Sequence, residues 1–375
     1  METINNKINP FQFGALGLML GNALFVGFGI IITITNSKQD AWITMILALL
    51  IALVPIGMIL YIMNYKPDKN ILEKNRYIFG TIMGNIINFV IVCSVLFMLS
   101  LVIWTSTYFC LTQYLTKVPY FYLAALFILT ASYAAIKGIE TIARTNEIIV
   151  FVAIIIISIV WFSLYEQFHF VQLKPILVNG VTPLIKHSFM AISYSFPPLI
   201  TLMIIPKNDI VNNKKYGRFF LLGFLLSIVF MAVTFYLIVG VVTIGVAELF
   251  RYPVYFVQYK IDVAGFFQGM ENFLALHWLF NTFVMMMMCI YYINRYVKDL
   301  FKVKKEKKLN IFTIVIGIAI AYGSSYLFED SVMGVQFMKN KYPYYFALPL
   351  ILLLLCIMIG IFVKKIIDKK KAYDE

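Results

Sequence analysis

Long apolar runs alternate with short polar breaks along this chain. A helix that crosses a bilayer needs about 20 consecutive apolar residues. Runs of that kind occur at approximately 11–34, 41–63, 82–112, 119–136, 148–165, 185–205, 217–240, 267–293, 311–328 and 344–363. They predict an all-α polytopic membrane protein of about ten transmembrane helices. The whole of 1–375 reads as a single integral membrane domain, with no room for a soluble domain between spans. Met1–Pro10 is short and polar and no small-residue cleavage site follows the first run, so that run is expected to stay as the first span. The segment Ala247–Gly265 is too polar and too rich in Tyr to cross, and reads as an amphipathic external element over the outer mouth.

Two runs are interrupted. The first contains Phe13–Gly29, with Gly14, Gly17, Gly21, Gly27 and Gly29, and one strongly polar side chain, Asn22. Glycine costs about 1 kcal/mol against alanine inside a helix. Gly17-Leu-Met-Leu-Gly21 has the spacing of close helix packing. The alternative is a broken, substrate-facing helix, because irregular backbone at membrane depth is tolerated only where protein or water surrounds it. The sixth run holds Ser193, Tyr194 and Ser195 just before Phe196-Pro197-Pro198. Adjacent prolines remove two backbone donors and bias the preceding residue away from helix. Breaks at spans one and six of ten match an inverted five-helix repeat, whose discontinuous helices flank a midplane substrate site.

Composition agrees with the pattern: 62% of residues are hydrophobic and 13% charged, with a mean hydropathy of +0.87. The net charge of +13 needs no nucleic acid to explain it. With the N-terminus inside, 23 of the 31 Lys and Arg fall on the cytoplasmic side, as the positive-inside rule requires, beside anionic lipid headgroups. Both termini are therefore expected in the cytoplasm. Cys93, Cys110, Cys289 and Cys356 all lie in apolar runs at no metal-ligand spacing and read as small core residues.

Candidate ligand contacts are the polar groups at depth: Gly17, Gly21 and Asn22 in span one, Thr105 and Tyr108 in span three, Ser193, Tyr194 and Ser195 in span six, and Asn281 in span eight. No Asp or Glu falls near the middle of a span, which argues against a proton-relay carboxylate. His277 is expected in the outer vestibule. Three scattered histidines and no central carboxylates make no acid–base constellation, so no catalytic residue, metal or cofactor is expected. The cytoplasmic segment Lys137–Glu147 places Glu140 and Arg144 four apart on one helix face. They form either a solvated pair or a bracket between two spans at the inner gate.

The run Gly138-Ile-Glu140-Thr-Ile142-Ala143-Arg144-Thr-Asn-Glu147 resembles the G-x-E-x-I-A-R-x-x-E signature of the spore germination permease family, the B subunits of nutrient germinant receptors. Tyr252-Pro253 and Gln268-Gly-Met-Glu271 resemble the Tyr-Pro and acidic motifs of that family, although many of its members carry a basic residue before the acidic one. That family is similar to the amino acid–polyamine–organocation transporters. The resemblance implies the inverted-repeat fold and an amino acid or similar small nutrient held between helices one and six. It further implies an A-type membrane subunit and a C-type lipoprotein as partners, in the spore inner membrane or the cell membrane. A secondary amino acid transporter on the same fold is the alternative.

Overall fold

The computed structural model describes residues 7–165, 167–260 and 270–374. The regular secondary structure of these residues is helical, apart from an isolated bridge that pins Ile8 to Ile210. Asn9 starts α1 (Pro10–Leu24): its side chain accepts the Gln12 N–H at 2.8 Å, Gln12 returns the bond at 3.0 Å, and Pro10 fills the first helical position. A π-helical turn (Phe25–Gly29) leads into α2 (Ile30–Ser37). Lys38 then takes a φ of +54° before α3 (Ala41–Asn64). The short α4 (Ile71–Phe79) turns through Gly80, φ +79°, into α5 (Thr81–Gln113). Gly138, φ +101°, makes the corresponding turn between α6 (Tyr120–Lys137) and α7 (Ile139–Tyr165). Glycine is the residue that adopts such angles without steric cost.

Next come α8 (Thr182–Ser195), a 3-10 segment (Pro197–Ile204) and α9 (Tyr216–Val241), then the short α10 (Ile244–Ala247) and α11 (Pro253–Lys260). The chain closes with α12 (Met270–Leu300), α13 (Glu306–Ser324), α14 (Ser331–Asn340), a second π turn (Pro343–Ala347) and α15 (Leu348–Asp374). Gln268 and Gly269, from the acidic motif, lie outside the described residues.

Among the described residues eight helical runs are long and apolar enough to cross a membrane, Pro10–Asn64 being one run of 55 residues. The protein is a multi-pass membrane protein. Every residue of α1 from Gln12 to Leu24 is buried, so this apolar helix has no lipid-facing side. It lies along α9 and against α7 and α12, while α12 also packs on α5 and α6. Cys93 and Cys356 are exposed on the outside of this bundle, so only Cys110 and Cys289 are core residues.

At one end of the bundle α4 ties five helices together. Asn70 and Glu73 cap it reciprocally. Lys74, 3% exposed, donates from Nζ to the Ile62 and Met63 carbonyls at the end of α3, both at 3.1 Å. Asn75 donates to Asn88 of α5 at 2.8 Å, and Tyr77 to Asp368 of α15 at 3.1 Å. Arg76 meets Asp299 of α12 through two parallel bonds of 2.6 and 2.7 Å.

Candidate functional site

The glycines of α1 divide into two groups with different work. Gly14, Gly17 and Gly21 face α9. A β-carbon on Gly14 would strike the Phe219 carbonyl, and one on Gly223 would strike the Gly14 carbonyl. At Gly17 it would meet the Phe220 ring at 3.0 Å, and at Gly21 the Ser227 hydroxyl at 2.5 Å. Gly17 and Gly21, expected near ligand, therefore sit where helix touches helix, the close approach that small residues permit in membranes.

Gly27 and Gly29 belong to the π turn. Here the Phe25 N–H bonds the Asn22 carbonyl, while the Ile30 N–H reaches back five residues to the Phe25 carbonyl. The helix is widened rather than unwound, and single π turns of this kind recur at functional sites. Gly29 is needed because the Phe25 ring folds over it, within 2.6 Å of where a β-carbon would stand. The missing side chain of Gly27 faces Thr105 Oγ1 at 3.1 Å and the Trp278 ring at 3.2 Å.

Around this turn lie polar groups with no hydrogen-bond partner among the described residues. Asn22, 1% exposed, has neither its side-chain nitrogen nor its oxygen paired. The Thr105 hydroxyl and the Trp278 indole N–H are also buried and unpaired. Three residues further along α12 the Asn281 side-chain oxygen is unpaired too, although Asn281 Nδ2 donates to the His277 carbonyl at 2.8 Å. Most buried polar atoms in proteins are satisfied, so a group of exceptions marks a place built for a polar ligand or water. His277, expected in the outer vestibule, is instead 4% exposed within α12.

Aromatic rings connect this turn to its neighbours. Phe28 stacks on Trp104 (6.2 Å), which stacks on Tyr108 (5.1 Å). Phe25 meets Tyr194 edge-on at 6.3 Å, and Tyr194 stacks on Tyr342 beside the second π turn at 5.7 Å. Tyr194 also donates to the Met338 carbonyl at 2.8 Å. The sixth run breaks at Phe196, where Pro197 and Pro198 cannot continue the helix and the 3-10 segment begins. Ser193 bonds its own helix at the Met190 carbonyl, 2.5 Å away, and Ser195 is buried as the last residue of α8. The structure thus brings Thr105 against the π turn and Tyr108 into the ring stack beside it, and gives Ser193 and Tyr194 protein partners.

One cavity adjoins the π turn through Val26, and a second lies beyond it. The inner one, about 30 Å³, lies among Val26, Ile30, Phe109, Leu274 and Trp278. That volume holds about one water. The outer one, about 540 Å³, is bounded by Tyr108, Thr112, Gln113, Arg251 and Ser331. Tyr252 and Tyr255 line both cavities and so partition them. Phe109 meets their edges at 4.9 and 5.6 Å and Trp278 at 4.4 Å. Pattern reading missed Arg251, whose only signal was a basic residue inside a Tyr-rich polar segment.

At the other end, Glu140 and Arg144 pair within α7 at 2.7 Å, with the Arg144 side chain 71% exposed. They are a surface pair, and neither side chain bonds to another helix among the described residues. The bond between helices is made by Glu147, which accepts from Gln12 Nε2 of α1 at 3.0 Å. Asn146 beside it is fully buried, with neither side-chain atom paired among the described residues.

This arrangement of helices is that of a class of small-molecule transporters. The chain superposes on MHP1, a nucleobase-cation-symport-1 family transporter solved closed with bromovinylhydantoin bound, with a TM-score of 0.66 at 12% identity. The match covers 89% of this chain and 75% of that one. MhsT in complex with L-phenylalanine matches with a TM-score of 0.52 at 12% identity, over 93% and 98% of the two chains. The chain belongs to the spore germination protein family, whose family model matches residues 7–330. Its relatives include spore germination protein A2 of Bacillus subtilis, 24% identical over 91% of this chain and 92% of that one. Spore germination protein XB of Bacillus anthracis is 22% identical over 97% and 100%, and protein KB of B. subtilis is 23% identical over 95% and 94%.

Proposed function

We propose that this chain is the ligand-binding membrane subunit of a spore germinant receptor, taking an amino acid or similar small nutrient beside the π turn and signalling the end of dormancy. The observation that carries this reading is family membership across residues 7–330. The unpaired Asn22, Thr105, Trp278 and Asn281 support a small polar ligand at that turn. A ligand shifts a two-state protein only by its differential affinity for the two states. The widened first helix and the broken sixth are the elements suited to having two arrangements.

The chain acts with an A-type membrane subunit and a C-type lipoprotein, its ten spans placing both termini in the cytoplasm. Spores lacking only this chain should ignore one nutrient while germinating normally with others. The purified chain in vesicles should show no gradient-driven uptake. The fold shared with MHP1 favours a second reading, a secondary transporter, and robust ion-driven accumulation by the isolated chain would promote it. For topology, cysteine at exposed Lys305 should resist impermeant reagents in intact cells, and cysteine at exposed Asn340 should react. Reaction at Lys305 from outside would sink this orientation.

A further inference from the structure

The outer cavity is bounded by a cation without a counter-ion among the described residues. Arg251 lies in the turn that leads into α11, and its guanidinium carbon is 5.2 Å from the ring centre of Trp104, 5.1 Å from Tyr108 and 5.2 Å from Tyr252. Nε, Nη1 and Nη2 are all shielded from solvent, and none has a hydrogen-bond partner among the described residues. Asp330 is near enough to act on Arg251 electrostatically, but it makes no ion pair with it and spends an oxygen capping α14, accepting the Met333 N–H at 2.7 Å.

Ring faces attract a guanidinium without using its N–H groups, so none of the five donors is spent on the described residues. A fork of that kind matches a carboxylate through two parallel bonds. Burial of the guanidinium opposes its charged form, a cost that an arriving anion would offset. The cavity beside it, about 540 Å³, is within the range of small-ligand sites. Thr112, Gln113, Tyr255 and Ser331 add neutral hydroxyl and amide groups to its wall.

We infer that Arg251 is a carboxylate-binding residue, and that the outer cavity receives a small carboxylate such as an amino acid before it passes the Tyr252–Tyr255 partition. The inference rests on the nutrient-binding reading above. Tyr108 and Tyr252 pack on the guanidinium and also line the cavity, so ligand engagement requires one of these rings to turn.

The test is equilibrium binding of the twenty radiolabelled amino acids to the purified full chain in detergent. Their unlabelled α-carboxamides and inorganic phosphate serve as competitors. At least one amino acid should bind and its carboxamide should fail to compete. Arg251→Met should weaken binding about tenfold or more, as loss of a charged hydrogen-bonding partner does, without lowering the thermal midpoint. Arg251→Lys, keeping charge without the fork, should fall between. Three results would overturn the assignment: Arg251→Met and Arg251→Gln bind as wild type, carboxamide or phosphate competes as well as the amino acid, or no amino acid binds wild type. Each leaves the receptor reading to the deletion spores, which test it separately.

Discussion

Lys74 and Arg251 are two shielded cations in one molecule, and the protein treats them oppositely. Lys74 is enclosed at the α4 end and gives its protons to two carbonyls that close α3. Burial pushes its pKa down to about 8, with Asp68 and Glu73 pulling the other way, so it stays mainly charged at neutral pH. Arg251 is held by rings alone and has no acceptor among the described residues. A buried cation with acceptors is structural, since its bonds exist before any ligand arrives. One without acceptors costs stability until something brings them. The contrast extends to the regions around them. The α4 end is tied across helices by Asn75, Arg76 and Tyr77, whereas the π turn has unpaired polar atoms and a small cavity beside it, with the larger cavity beyond Tyr252 and Tyr255. A receptor needs both: a fixed end to hold the bundle, and an unsatisfied region where ligand energy has an effect.

The largest expected effect comes from breaking the fixed end. Lys74→Met strands the Met63 carbonyl and takes one of two donors from the Ile62 carbonyl, which keeps the Tyr65 N–H at 3.3 Å. It should cost about 3 kcal/mol, the upper end of roughly 1–3 kcal/mol for a stranded buried group. Thermal unfolding in detergent measures it, beside Arg251→Met, which should lose nothing. Equal destabilisation by the two substitutions would erase the contrast.

The next effect belongs to Arg76 and Asp299, a paired fork about one quarter exposed on each side. The hydrogen bonds to Asp299 push the Arg76 pKa up, ahead of the opposing effect of burial. Arg76→Ala should cost about 2 kcal/mol, between the values for exposed and buried pairs. A double-mutant cycle with Asp299→Ala should recover a coupling of about 1 kcal/mol or more. Additive losses would mean that the two side chains act separately and that α4 is held by its other contacts.

What the sequence made legible follows from how local each signal is. The helical, membrane-embedded class was plain because apolar run length is a one-dimensional property. The break at Pro197-Pro198 was legible because proline acts on its own backbone. The glycines of α1 were ambiguous for a physical reason. Gly21 and Gly27 carry the same absence of a side chain, and only the neighbour, Ser227 in one case and Thr105 with Trp278 in the other, assigns packing or site. Arg251 was illegible because its cage assembles Trp104, Tyr108 and Tyr252 from separate parts of the chain. Glu147 and Gln12 pair across 135 positions for the same reason.

Asn22 gives the third test, with a change of opposite sign. An unpaired buried amide is a liability, so Asn22→Leu should leave stability unchanged or raise it by about 1 kcal/mol. The nutrient response at normal abundance should nevertheless fall. Loss of stability would show that Asn22 has a structural partner, most simply an internal water, and would move it to the fixed side of the comparison.

The smallest effect is expected at Glu140 and Arg144, in the most recognisable motif of the chain. Their bond is short, 2.7 Å, but Arg144 is 71% exposed and the pair lies within one helix. Exposed pairs of this spacing stabilise by about 0.3–0.5 kcal/mol. Arg144→Gln should therefore shift the thermal midpoint of the isolated chain by little, and raised salt should remove the difference, since exposed charges are screened. If the same substitution abolishes germination while abundance and midpoint hold, the guanidinium is being used outside this chain. Its reach from the bundle surface would then point to a carboxylate on a partner subunit. Charge reversal at Glu140 separates the alternatives, because Glu140→Lys breaks the pair but leaves Arg144 free to make that outside contact. A germination defect from Arg144→Gln but not from Glu140→Lys assigns the motif arginine to assembly, and equal defects assign it to the helix end itself.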